Sequence, residues 1–164
     1  ANLEGVPGRY ERVVDGLGYD VIVDYAHTPD ALDKLLESAK SITKNRVILV
    51  FGATGDRDKG KRPIMGDIAA RRADRIILTD EESYNEDPKA IRDQVMEGID
   101  RAGAAAKVTE ISDRREAIEK ALSIAKKGDT ILITGMGHEQ YRIVNGEKLP
   151  WNDAHVVREI LGKS

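Results

Sequence analysis

The chain has 164 residues, enough for one domain with a full core, and its balance of 40% apolar to 34% charged residues leaves no case for disorder. With 26 basic and 29 acidic side chains the net charge is −3, which argues against a general nucleic-acid binder. The lack of cysteine excludes a disulfide framework and a thiolate metal site, and no apolar run approaches the ~18 residues of a membrane span, so a cytoplasmic protein with no membrane partner is expected.

Ala1 to Gly8 read as a connecting segment, and with no Met ahead of them the chain is expected to be a fragment. Tyr10 to Val14 predicts a short edge strand, closed by Asp15-Gly16, and Tyr19 to Tyr25 a strand around Val21-Ile22-Val23. Thr28 as N-cap and Pro29 at N1 open a helix whose inner face is Leu32, Leu35, Leu36 and Ala39. Val47 to Phe51 is a continuous, largely β-branched apolar run, the pattern of a strand buried on both faces. A helix from Pro63 follows, with Ile64, Met65, Ile68 and Ala69 inward, then a strand at Ile76–Leu78 and an acidic loop from Asp80 to Asp87. Pro88 opens a helix carrying Ile91, Val95 and Ile99; Lys107 to Glu110 is a short strand; a helix from Ser112 buries Ala117, Ile118, Ala121, Leu122 and Ala125. Ile131–Ile133 is the last central strand, Tyr141–Val144 and Glu147–Leu149 form a hairpin through Asn145-Gly146, and Asp153 caps a final helix with Val156, Val157, Ile160 and Leu161.

This alternation predicts an α/β fold: one open, mostly parallel, Rossmann-like sheet with helices on both faces, plus a C-terminal hairpin and helix, all in one domain. Four strand exits carry unusual chemistry: DYAHTP from Asp24, GATGDRDKGKRP from Gly52, TDEESYNEDP from Thr79 and TGMGHEQ from Thr134. All four are expected on the same edge of the sheet, where open α/β folds bind ligands. The second, with glycines, Arg57, Lys59, Lys61 and Arg62, is suited to an anion, although a solvated charged loop explains it equally.

Together Gly5-Val6-Pro7-Gly8-Arg9 with Glu11-Arg12, Asp24 to Leu32, Gly55 to Pro63 and Gly135 to Tyr141 resemble the C-terminal domain of the Mur ligases, nearest the type that makes UDP-N-acetylmuramoyl-tripeptide. The resemblance implies a three-domain, ATP-dependent amide-forming enzyme of peptidoglycan synthesis. Residues 1–164 would form its single C-terminal domain, which closes over ATP and brings in the amino acid, with residues 1–9 the linker from a central ATP-binding domain. The partners implied are UDP-N-acetylmuramoyl-dipeptide, ATP and a diamino acid, acting on a monomer. ATP converts the dipeptide carboxylate to an acyl phosphate, from which the incoming amine displaces phosphate. No Gly-x-x-x-x-Gly-Lys-Ser/Thr stretch occurs here, so the phosphate cradle and most of the Mg²⁺ ligation are expected outside this chain, with no metal site and no catalytic residue in it.

By the same resemblance Arg9, Asp24 and His27 face ATP, Asp24 through the ribose hydroxyls. A turn Asp bonding its own backbone is the alternative for Asp24, and a capping or packing role the alternative for His27. Arg57 matches the family arginine that holds the carboxylate of the incoming amino acid, a natural bidentate task, and Gly135 and Glu139 match positions that hold the same substrate. His138 and His155 are read as structural. Family members that add meso-diaminopimelate carry Asp-Asn-Pro-Arg where this chain has Glu81-Glu82-Ser83-Tyr84. Glu82 and Tyr84 are therefore candidate substrate contacts without the arginine. Because that loop is acidic, L-lysine or ornithine is expected over meso-diaminopimelate. A cyanophycin- or folylpolyglutamate-type ligase domain, or a stand-alone nucleotide- or anion-binding module, are the alternatives.

Overall fold

The computed structural model describes residues 8–55 and 57–162. Residues 1–7 of the expected linker over 1–9, and Asp56 of the second loop, lie outside the described residues. Six strands form one sheet in the order β1-β2-β6-β3-β4-β5. They are β1 Glu11–Arg12, β2 Asp20–Asp24, β3 Val47–Phe51, β4 Arg75–Leu78, β5 Val108–Glu110 and β6 Thr130–Thr134. All neighbours pair in parallel except β1, which runs antiparallel to β2. The last of these six in sequence, β6, thus slots between β2 and β3, pairing in parallel with all of β2 and with residues 47–50 of β3.

The period-2 alternation of the strands sorts their side chains onto two cores. Ile22, Leu49, Phe51, Ile76, Leu78 and Leu132 face α1 (Pro29–Ile42), α2 (Lys61–Arg72) and α3 (Pro88–Arg101). Val21, Val23, Ile48, Val50, Ile77, Ile131 and Ile133 face α4 (Arg114–Ile124) and α5 (Asp153–Ile160). Most of these strand residues are 0% exposed, and each such side chain contributes about 1.5–3 kcal/mol through burial. Helices therefore cover both faces, as the continuous apolar strands require.

The boundaries differ in instructive places. Ile64 points outward, 53% exposed; the inner face of α2 is instead Arg62, Met65, Gly66, Ala69 and Ala70. α4 is capped by Asp113, whose side chain accepts from the Glu116 amide, so the capping pair sits one residue beyond Ser112. α5 is capped by Asn152 through the His155 amide, which frees Asp153 to be fully buried at the first helical position. Lys107 closes a short 3₁₀ turn ahead of β5. The hairpin, β7 (Tyr141–Val144) and β8 (Glu147–Pro150), turns through Asn145 and Gly146, both with positive φ.

Candidate functional site

Because β2, β3, β4 and β6 are parallel neighbours, their exit loops leave the same edge side by side. Backbone contact then locks the loops together. A Cβ on Gly55 would lie 1.9 Å from the Ser83 carbonyl oxygen, and the Gly55 amide donates to the Glu82 carbonyl at 2.6 Å. Only glycine lets the β3 loop approach the β4 loop this closely. Arg62, 2% exposed, reinforces the join, donating to both Glu86 carboxylate oxygens (3.1 and 2.6 Å), to Gln94 Oε1 (2.7 Å) and to the Thr54 carbonyl (2.9 Å).

A second buried guanidinium organises the other side. Arg114 makes a two-pronged pair with Asp153 (2.8 Å on each oxygen) and donates to the carbonyls of Asp80 (3.1 Å) and Thr134 (3.0 Å). It ties the exits of β4 and β6 to α4 and α5. Trp151 Nε1 adds a donor to Asp153 at 2.7 Å. The hairpin closes over the top. Tyr84, at φ 52, gives its amide to the Ile143 carbonyl (3.1 Å) and takes the Gly146 amide (3.0 Å), while Glu82 Oε2 accepts from the Ile143 amide (3.1 Å).

These contacts enclose a cavity of about 330 Å³ lined by Tyr25, His27, Thr54, Arg57, Glu81, Glu82, Tyr84, Gly135, Glu139, Tyr141, Ile143 and Lys148. Six predicted residues meet there: His27, Arg57, Glu82, Tyr84, Gly135 and Glu139. The Arg57 guanidinium lies over the Tyr84 ring, 5.5 Å from its centroid. Burial, with Glu82 alongside, pushes the Tyr84 hydroxyl up from its ordinary value, so it stays protonated at physiological pH. Beside this cavity lies a second, about 290 Å³, lined by Thr28, Ala53, Asp58, Lys61, Arg62 and Met65 and sharing His27, Thr54 and Arg57 with the first. An open groove of about 620 Å³ between α1 and α2 contains none of the predicted residues, and its arginines are paired, Arg72 with Asp33 and Arg71 with Asp67.

Asp24 and Arg9 line neither cavity. The Asp24 carboxylate takes the amides of Ala26 and Tyr10, both at 2.8 Å, realising the turn role weighed against the ribose contact. Arg9 is exposed. His27 is exposed, with Nδ1 3.0 Å from the Tyr25 carbonyl and its ring edge-on to Tyr25 at 4.6 Å. His138 and His155 are exposed outside both cavities. Among the described residues no group of three or more His, Asp or Glu side chains is arranged to hold a metal ion.

Sequence reasoning passed over Glu81, Thr54 and Lys148. Glu81 is 4% exposed, accepts from Thr54 Oγ1 at 2.6 Å, and its other oxygen would be 2.1 Å from a Cβ on Gly135. Burial pushes its carboxyl up, against the opposing pull of Arg114 and the Thr54 hydroxyl. The signal for Glu81 was its place one residue into the acidic loop. Lys148 had none, since only docking of the hairpin brings it to the cavity.

The family described as Mur ligase, glutamate ligase domain, matches residues 8–137. Among curated relatives, the UDP-N-acetylmuramoyl-L-alanyl-D-glutamate–2,6-diaminopimelate ligase of Syntrophomonas wolfei is 45% identical over 161 residues, 98% of this chain and 33% of that protein. The enzyme of the same name from Aquifex aeolicus is 47% identical over 157 residues, 96% of this chain and 32% of that protein. A solved structure of such a ligase superposes with TM-score 0.87 at 41% identity, over 96% of this chain and 32% of the other. A bifunctional folylpolyglutamate synthase/dihydrofolate synthase from Yersinia pestis superposes with TM-score 0.64 at 19% identity, over 98% of this chain and 32% of the other, a likeness of fold alone. The chain spans about a third of the length of the curated relatives it matches.

Proposed function

The chain belongs to the Mur ligase glutamate ligase domain family, and on that premise we propose that it is the C-terminal, amino-acid-binding domain of an ATP-dependent ligase that extends UDP-N-acetylmuramoyl-dipeptide by a diamino acid. The observation that carries this reading is one cavity, at the carboxyl ends of parallel strands, in which Arg57 stands with Glu82 and Glu139. A guanidinium offers the carboxylate of an amino acid a bidentate partner, and the carboxylates offer its ammonium groups counter-charges. The neighbouring cavity, with Arg57, Lys61 and the start of α2, suits the phosphate side of the reaction. ATP reaches it from the part of the protein that carries the phosphate loop and Mg²⁺, in a cytoplasmic setting. No described helix is long and apolar enough to cross a membrane. By the family resemblance Arg9, Asp24 and His27 are proposed to face ATP, His27 from the wall of both cavities and Arg9 and Asp24 from outside them.

The amino acid proposed is 2,6-diaminopimelate, the substrate in the relatives' names. The expectation of L-lysine or ornithine rested on a loop without a cation. Lys148, on the hairpin, brings a cation to the cavity that this loop lines. The test is amide formation by the intact protein with ATP, UDP-N-acetylmuramoyl-dipeptide and each diamino acid. Arg57→Ala is expected to raise KM for the amino acid about 10- to 150-fold, the value of a charge-assisted hydrogen bond, with KM for ATP little changed. Absence of ATP-dependent amide product would overturn the reading.

A further inference from the structure

We propose that Lys148 is a specificity residue that holds the carboxylate at the far end of the diamino acid. This rests on the function proposed above and adds to it a residue from outside the strand-exit loops. The argument is one of charge counting within the first cavity. A 2,6-diaminopimelate brings two carboxylates, and each must find a partner as it leaves water. The lysine and arginine side chains lining the cavity are two, Arg57 and Lys148. Arg57 lines both cavities and so belongs to the reacting end, where amino acid and phosphate chemistry meet. Lys148 lines the first cavity alone, at the hairpin side, which places it with the far end.

The hairpin fixes Lys148 there. It pairs with Ile143, whose amide donates to Glu82 and whose carbonyl accepts from Tyr84. The Lys148 ammonium rests 4.4 Å from the centroid of the Tyr141 ring and makes no ion pair among the described residues. A cation held only by a ring face retains its charge for a ligand. Of the other basic residues after β3, Lys59 and Arg62 are engaged with Glu86, and Lys61 lines the second cavity.

The experiment compares Lys148→Met and Lys148→Arg with the wild type in the intact protein, using 2,6-diaminopimelate and L-lysine, which lacks the far carboxylate. Lys148→Met is expected to raise KM for diaminopimelate about 10- to 100-fold with kcat within about threefold, and to leave KM or the inhibition constant for L-lysine unchanged. Lys148→Arg should restore most of the diaminopimelate affinity. Equal losses on both amino acids would reduce Lys148 to packing on Tyr141, and an unchanged KM for diaminopimelate, or turnover of L-lysine alone by the wild type, would also overturn the proposal. Calorimetric binding of diaminopimelate to the same variants reads Lys148 without turnover, so failure of the ligase reading and failure of this one remain distinguishable.

Discussion

Glu81 is ionisable, 4% exposed and bonded on one oxygen to Thr54, so its burial works against its ionised form. Its folded pKa lies above the ordinary carboxyl value of 4.5, with burial the largest cause. As pH rises from 4.5 towards the folded value, the folded state binds more protons than the unfolded state, so stability falls across that window. Glu81→Gln keeps an acceptor for Thr54 and removes the charge. It should raise the stability of the domain at pH 7 and flatten its loss above pH 4.5, while weakening amino-acid use. Urea unfolding at pH 4 and pH 7 checks the first part; a variant less stable at pH 7 than the wild type would contradict it. Gly135 faces the same carboxyl with φ +107, so Gly135→Ala combines backbone strain of about 1–3 kcal/mol with displacement of Glu81. Its KM for the amino acid should rise more than its KM for ATP.

Helix α2 is weakly amphipathic by sequence, and its partner explains how it is nevertheless fixed. Its Gly66 meets the Val95 carbonyl of α3, 2.0 Å from where a Cβ would stand, and Gly98 of α3 meets the Pro63 carbonyl at 1.8 Å. The helices touch backbone to backbone, which compensates for a small apolar face and holds Arg62 where it can bridge Thr54, Glu86 and Gln94. Gly98→Ala should force the helices apart at a cost of about 1–3 kcal/mol, seen as a lower urea midpoint. Because the same helix start carries the Arg57 loop, amino-acid KM should rise in that variant too, although no residue lining the cavity is substituted. An unchanged midpoint would mean that the pair yields more easily than its contacts indicate.

Over the whole molecule, the edge of the sheet opposite the site is held by charge. Burial pushes the Asp129 carboxyl up, but hydrogen bonds from the Arg46 side chain and from the Lys126 and Arg46 amides more than offset this, and it titrates below 3.8. A depressed folded pKa gives stability that is complete above 3.8 and lost as pH falls through the folded value. Asp129→Asn should cost about 2 kcal/mol at pH 7 and shrink the acid-induced loss below pH 4. A variant with the wild-type slope in that range would place acid sensitivity elsewhere. Since phosphoryl transfer depends on a positioned phosphate loop and metal, the 164-residue chain by itself should hydrolyse no ATP. ATPase activity abolished by Arg57→Ala or Asp24→Ala would refute this.

The order of elements, the parallel sheet and the edge bearing the site were determined by sequence alone, because β-branched runs such as Val47–Phe51 and turn residues such as Pro29 and Gly146 act locally. So was the place of Arg57 in a strand-exit loop, which needs only that loop. Contacts between distant segments lay beyond that reach. Arg62 reads as one more surface cation in a charged loop, yet it is buried between helices because Glu86 and Gln94 come to it from 24 and 32 residues away. Asp153 reads as a cap, yet Arg114, 39 residues earlier, draws it inside and leaves the cap to Asn152. Lys148 carries no local pattern, and joins the cavity only because Tyr84 and Glu82 hold the hairpin against the acidic loop. A motif can report what its own backbone favours; which charges become neighbours is decided by packing, where every buried ion must find its partner.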